Sequence, residues 1–119
     1  MEKVVSLGPL GENHACDFLK KKGCKILERN FRAGHGEIDI IARLGKIVLF
    51  VEVKTRASSD FAQPWEAVGY RKRKHLKTAA KFYVQEQPSH RDQEYRFDVL
   101  SITMKDTSPA EIEWIQNAF

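Results

Sequence analysis

The chain has 119 residues, 42% of them hydrophobic and 30% charged, with two cysteines and a net charge of +4. These proportions predict one soluble domain over 1–119 and exclude a disordered chain or a small disulfide scaffold. No apolar run approaches the ~18 residues of a membrane span, and no apolar leader segment precedes Glu12, so a cytoplasmic location is expected.

Charge is unevenly spread along the chain. Residues 1–82 carry 17 basic and 9 acidic side chains, while residues 83–119 carry 3 and 7. A basic body suits a polyanionic partner.

The first predicted element is a helix over 11–22, with Ala15, Phe18 and Leu19 on one face and Gly23 ending it after three lysines. A strand is expected over 24–32, followed by an Ala-Gly-His-Gly turn at 33–36. Residues 37–43 alternate in part, with Ile38 and Ile40 on one side and Glu37, Asp39 and Ile41 on the other. Leu44-Gly45-Lys46 is too short for a crossover, so this strand and 47–54 form an antiparallel hairpin. The run Ile47–Val51 is wholly apolar, as in a central strand covered on both faces.

Pro64 opens a long predicted helix over 65–86, striped with Trp65, Val68, Leu76, Ala79, Ala80 and Tyr83 and closed by Pro88. Residues 94–104 read as a further strand, and 110–115 as a last strand or a short helix. The resulting fold class is α/β, with a mixed sheet flanked by helices.

Two carboxylates and a lysine stand out. Glu52 and Lys54 share one strand face, about 7 Å apart. Folding the hairpin about Leu44-Gly45 sets Asp39 opposite Phe50, or opposite Val51 or Glu52 if the register shifts. Asp39 and Glu52 both lie in strongly apolar surroundings, where a charge needs a partner or a metal. Two carboxylates on adjacent strands offer hard oxygen ligands suited to Mg²⁺ or Mn²⁺. A structural ion pair with Lys54 would satisfy the same residues.

These residues also carry a resemblance. Gly11-Glu12 with Ala15, Gly23, Ile26-Leu27 and Asn30 are its first marks. Gly36–Ala42, Phe50–Arg56, Ala79-Ala80, Arg96–Val99 and Asn117-Ala118-Phe119 continue it. Together they resemble the YraN-like family of uncharacterised proteins. Beyond that family they resemble the PD-(D/E)xK nucleases, above all the archaeal Holliday-junction resolvases.

The resemblance implies a restriction-endonuclease-like fold with four or five strands, and Mg²⁺- or Mn²⁺-dependent hydrolysis of DNA phosphodiesters. Branched DNA is the implied substrate and a homodimer the implied assembly. Asp39 matches the motif aspartate, Glu52 its acidic partner and Lys54 the motif lysine. Glu12 resembles the additional glutamate near the metal, and the Val53 carbonyl is a further candidate ligand. Ile38 stands where a proline often precedes the aspartate.

The strongest basic cluster is Arg71, Lys72, Arg73, Lys74, Lys77 and Lys81, six cations within 11 positions. Such a run holds a phosphate backbone without reading its sequence, and Arg56 adds one more candidate contact. Lys74, Lys77 and Lys81 share a helix face, and Arg73 or Lys74 could turn to the acidic residues instead. His35 is a candidate contact for phosphate or water. Trp65, Tyr70 and Phe82 are expected in the core rather than as stacking platforms. Two non-enzymatic alternatives remain: a nucleic-acid-binding module with an inert acidic site, and an interaction protein with an acidic partner.

Overall fold

The computed structural model describes residues 7–57, 69–87, 93–106 and 108–119. In chain order these form α1 (Leu7–Lys21), β1 (Lys25–Ala33), β2 (Gly36–Leu44) and β3 (Ile47–Ala57). Then follow α2 (Tyr70–Glu86), β4 (Glu94–Lys105) and β5 (Ser108–Ile115).

α1 begins four residues before the expected start, with Pro9 in its first turn, where the missing N–H is no loss. Gly11 is therefore inside the helix. A Cβ there would collide with the Thr55 side chain, so Gly11 lets α1 approach β3. The helix ends at Gly23, whose φ of +92° an L side chain resists. Gly23 N–H donates to the Lys20 carbonyl at 3.0 Å and Cys24 N–H to that of Leu19 at 2.9 Å, closing the last turn.

The five strands lie in sequence order, β1-β2-β3-β4-β5. Three neighbouring pairs are antiparallel, and β3 and β4 are parallel. A parallel pair needs a crossover, and α2 lies within it. The arrangement is α/β with a mixed sheet flanked by helices, and is restriction-endonuclease-like. The last segment is a strand, β5, not a helix.

Each sheet face has its own core. On one, Ala15, Cys16 and Leu19 of α1 pack against Ile40, Ala42, Leu49, Val51, Leu100 and Ile102. On the other, Leu76, Ala79, Ala80 and Tyr83 of α2 pack against Ile38, Ile41, Val48 and Phe50. The α2 set is spaced i, i+3, i+4, i+7, a single apolar stripe. The helix ends at Glu86 because Pro88 disfavours helical geometry at Gln87. Positions 65–68 of the expected helix lie outside the described residues, as do Trp65 and Val68. Tyr70 and Phe82 depart from the core expectation: they are 75% and 42% exposed.

Within β2, Ile38 and Ile40 do not share a face as strict alternation requires. Ile38 packs with the α2 core and Ile40 with the α1 core. The break coincides with an irregularity on the neighbouring strand: Asn30, at φ +53°, stands between the pairs Arg29↔Ile40 and Phe31↔Ile38. Asparagine tolerates this left-handed conformation.

A buried polar group, 0% exposed, ties β4 to the end of the chain. Asp98 accepts two hydrogen bonds from Arg96, one from the Trp114 indole and one from Asn117 N–H, all at 2.8–2.9 Å. A buried carboxylate so fully satisfied is stable, but removing it strands a guanidinium and an indole. Asp98→Ala is expected to cost about 3 kcal/mol or more in urea denaturation. A loss under about 1 kcal/mol would mean that the network contributes little.

Candidate active site

The hairpin register places the acidic residues. Leu44 pairs with Ile47 across a two-residue loop, with Gly45 at φ +61° in its first position. Counting back gives Ile41↔Phe50 and Ile40↔Val51, where the β2–β3 ladder ends. The next step sets Asp39 against Glu52, the furthest of the three registers considered from sequence. Past this point Val53 N–H has no ladder partner on β2, and the Asp39 carboxylate accepts it at 2.8 Å. The side chain thus takes the place of the ladder partner that the β2 backbone no longer supplies.

An open cleft of about 310 Å³ lies here. Gly8 and Glu12 of α1, Asp39 of β2, Glu52, Val53, Lys54 and Thr55 of β3, and Lys72 of α2 line it. Glu12 is in the second turn of α1, not at its start, and reaches the cleft from there.

Glu52 is 2% exposed. Its Oε1 lies 2.7 Å from Lys72 Nζ and 3.7 Å from Lys54 Nζ. Its Oε2 is buried and has no hydrogen-bond partner. Asp39 is pushed up to about 7 by burial first and then by the neighbouring Glu52 carboxylate. The Val53 N–H and the Lys72 ammonium only partly offset this. Glu12 is also raised, by burial and then by Asp39, with Arg29 opposing. Burial pulls Lys72 down, but the hydrogen bond and charge of Glu52, helped by Asp39 and Glu37, more than compensate, so its pKa is raised and it stays a cation.

Among the described residues, no three or more His, Cys, Asp or Glu side chains form a ready metal cage. The donors fit a divalent cation of the hard, oxygen-seeking kind nonetheless. Two mutually repelling carboxylates meet at the mouth of an open cleft, and one buried oxygen is left unpartnered.

Lys72, one of the expected phosphate contacts, lies against Glu52, apart from the other lysines of its helix. Helical geometry explains the difference: Lys74, Lys77 and Lys81 lie roughly 140–200° around α2 from it. Those three, with Tyr70, Arg73 and Thr78, line a separate cleft of about 400 Å³. Arg71 is exposed. Arg56 donates to Thr103 Oγ1 at 3.3 Å and keeps a buried, unpartnered Nη1. Glu37 pairs with Arg32 at 3.6 Å. His35 lies with Glu37, Lys72 and His75 in a neighbouring cleft of about 200 Å³. The signal that could have singled out Lys72 is its phase on α2, one turn before the buried Leu76.

A family model for an uncharacterised protein family, UPF0102, matches residues 11–102, which hold every acidic and basic side chain of the cleft. The chain belongs to UPF0102. Family members include proteins from Caldicellulosiruptor saccharolyticus, 47% identical over 95% of this chain and 96% of the relative, and from Dictyoglomus turgidum, 43% identical over the same shares. Another, from Geobacter metallireducens, is 47% identical over 96% of this chain and 92% of the relative. The family is related to the YraN-like, PD-(D/E)xK nuclease-like proteins.

The raised Asp39 pKa has a signed consequence for stability. The folded state holds this proton more tightly than the unfolded chain, whose carboxyl titrates near 3.8. The resulting stabilisation is complete below pH 3.8 and is lost as pH rises through about 7. In EDTA, the melting temperature of Asp39→Asn relative to wild type is therefore expected to climb from pH 4 to pH 8. A difference that stays flat over that range would contradict the shift.

Proposed function

We propose that this protein is a metal-dependent endonuclease that hydrolyses DNA phosphodiesters, with branched DNA as a substrate and Mg²⁺ or Mn²⁺ as cofactor. The observation that carries the reading is the meeting of Asp39, Glu52 and Lys54 in one open cleft, with a buried Glu52 oxygen left unpartnered. Carboxylates that merely formed a structural ion pair would be expected to satisfy all their oxygens.

In this reading Asp39, Glu52 and the Val53 carbonyl hold the cation, with Glu12 as a further ligand or as a partner to cation-associated water. When bound, the cation supplies positive charge against that which builds on the phosphate. Asp39 must give up its proton first. Lys54, on the same strand face as Glu52, orients the attacking water and keeps positive charge beside the phosphate. Water adds at phosphorus, the P–O bond to one sugar breaks, and the leaving alkoxide takes a proton. Arg71, Arg73, Lys74, Lys77 and Lys81 hold phosphates of the backbone, and Arg56, two residues after Lys54, is a further contact. A homodimer would widen the small footprint of one chain on such a substrate.

The test is cleavage of linear duplex, single-strand, flap and four-way-junction DNA with Mg²⁺ or Mn²⁺. Asp39→Asn and Lys54→Ala proteins, purified identically, are expected to cut at least about 100-fold more slowly than wild type. Equal cutting by all three proteins would identify a contaminant. Binding without cutting, undiminished in Asp39→Asn and independent of metal, would favour a binding module. That outcome has its own support in the basic cleft of α2, which faces away from the carboxylates.

A further inference from the structure

We propose that the Lys72 ammonium is a resident counter-ion of the Asp39–Glu52 pair, that a divalent cation must displace it, and that the displaced side chain moves to the neighbouring cleft beside Glu37. The inference rests on the reading of the carboxylates as a cation site.

Three observations carry it. First, Lys72 Nζ is the nearer of the two ammonium groups at Glu52, at 2.7 Å against 3.7 Å for Lys54. That ammonium holds Oε1, and the unpartnered Oε2 belongs to the same carboxylate, so a divalent cation on Glu52 would meet the Lys72 charge at close range and be strongly repelled by it. Second, the side chain is free to leave. It is 49% exposed, although the carboxylate it meets is buried. Lysine has a long flexible stem and a compact charge, which suits a group that changes partners.

Third, Lys72 lines two clefts and so forms part of the wall between them. One holds Asp39 and Glu52, and the other holds His35, Glu37 and His75. Glu37 is bound only loosely, by Arg32 at 3.6 Å on an exposed surface. It offers the departing ammonium a second carboxylate.

The setting of α2 gives the contact a further effect. Gly69 at its N-cap provides no side-chain hydrogen bond, and the first turn holds no acidic residue. Arg71, Lys72, Arg73 and Lys74 instead crowd the positive end of the helix dipole. The Lys72–Glu52 pair compensates one of these misplaced charges. Displacing it leaves the start of α2 more dependent on outside anions, which links cation binding to the helix that carries the basic cleft.

The test is Mn²⁺ titration by electron paramagnetic resonance at pH 8.5 under argon, where Asp39 has released its proton. Lys72→Met is expected to bind Mn²⁺ at least about tenfold more tightly than wild type, and Lys72→Arg no more tightly. In EDTA, Lys72→Met melts below wild type, and saturating Mn²⁺ closes the gap. If the variant does not fold in EDTA, Mn²⁺ restores it. Equal or weaker Mn²⁺ binding by Lys72→Met, or a folding defect that Mn²⁺ leaves untouched, overturns the proposal. Glu37→Gln should weaken Mn²⁺ binding more in wild type than in Lys72→Met, and equal losses overturn the second berth. Absence of Mn²⁺ binding in every protein removes the cation site itself, and the counter-ion proposal with it.

Discussion

The candidate site depends on the register of one hairpin. With Gly45-Lys46 as its loop, the hairpin stacks Ile41 on Phe50 and Ile40 on Val51, and the next step brings Asp39 level with Glu52. A slip by one residue would flip Asp39 or Glu52 to the opposite sheet face and put Ile41 or Phe50 into the wrong core. The two cores therefore enforce the alignment of the carboxylates. Packing energy, which is large, sets a geometry that electrostatics alone would oppose.

That opposition is then managed locally. Glu52 is buried, Asp39 is mostly so, and like charges at this range repel. The protein answers with Val53 N–H on Asp39, two lysines around Glu52, and a proton held to unusually high pH. The compensation stops short of completeness, since one Glu52 oxygen has no partner. Asp98 is the instructive contrast. It is equally buried, yet Arg96, Trp114 and Asn117 engage both its oxygens. One acidic group is finished as structure, and the other is left open to a cleft.

Much of this was legible in the residues. The apolar run at 47–51 marked the central strand, Leu44-Gly45-Lys46 marked the tight hairpin, and Glu52-Val53-Lys54 put an acid and a base on one face. Local rules govern such features. The left-handed backbone at Asn30 was not legible, because a positive φ depends on how the two strands twist together. At the same level Ile38 and Ile40 part to opposite cores and Asp39 meets Val53 N–H. Lys72 was hidden inside a run of six basic or aromatic residues, Tyr70 to His75. Its distinction comes from the helix phase set by Leu76, Ala79, Ala80 and Tyr83. The exposure of Tyr70 and Phe82 follows from the same phase, which overrides their apolar character. The early start of α1 was masked by two glycines and a proline, and the fit of Gly11 against Thr55 is a tertiary effect.

The two cysteines have a consequence of a different kind. Cys16 and Cys24 are both buried in the core between α1 and the sheet, and burial raises both thiol pKa values. Neither thiolate is available while the helix is docked, so alkylating reagents and oxidants act slowly on the folded chain. Their modification rate is thereby a clock for the undocking of α1, the element that brings Glu12 to the carboxylates.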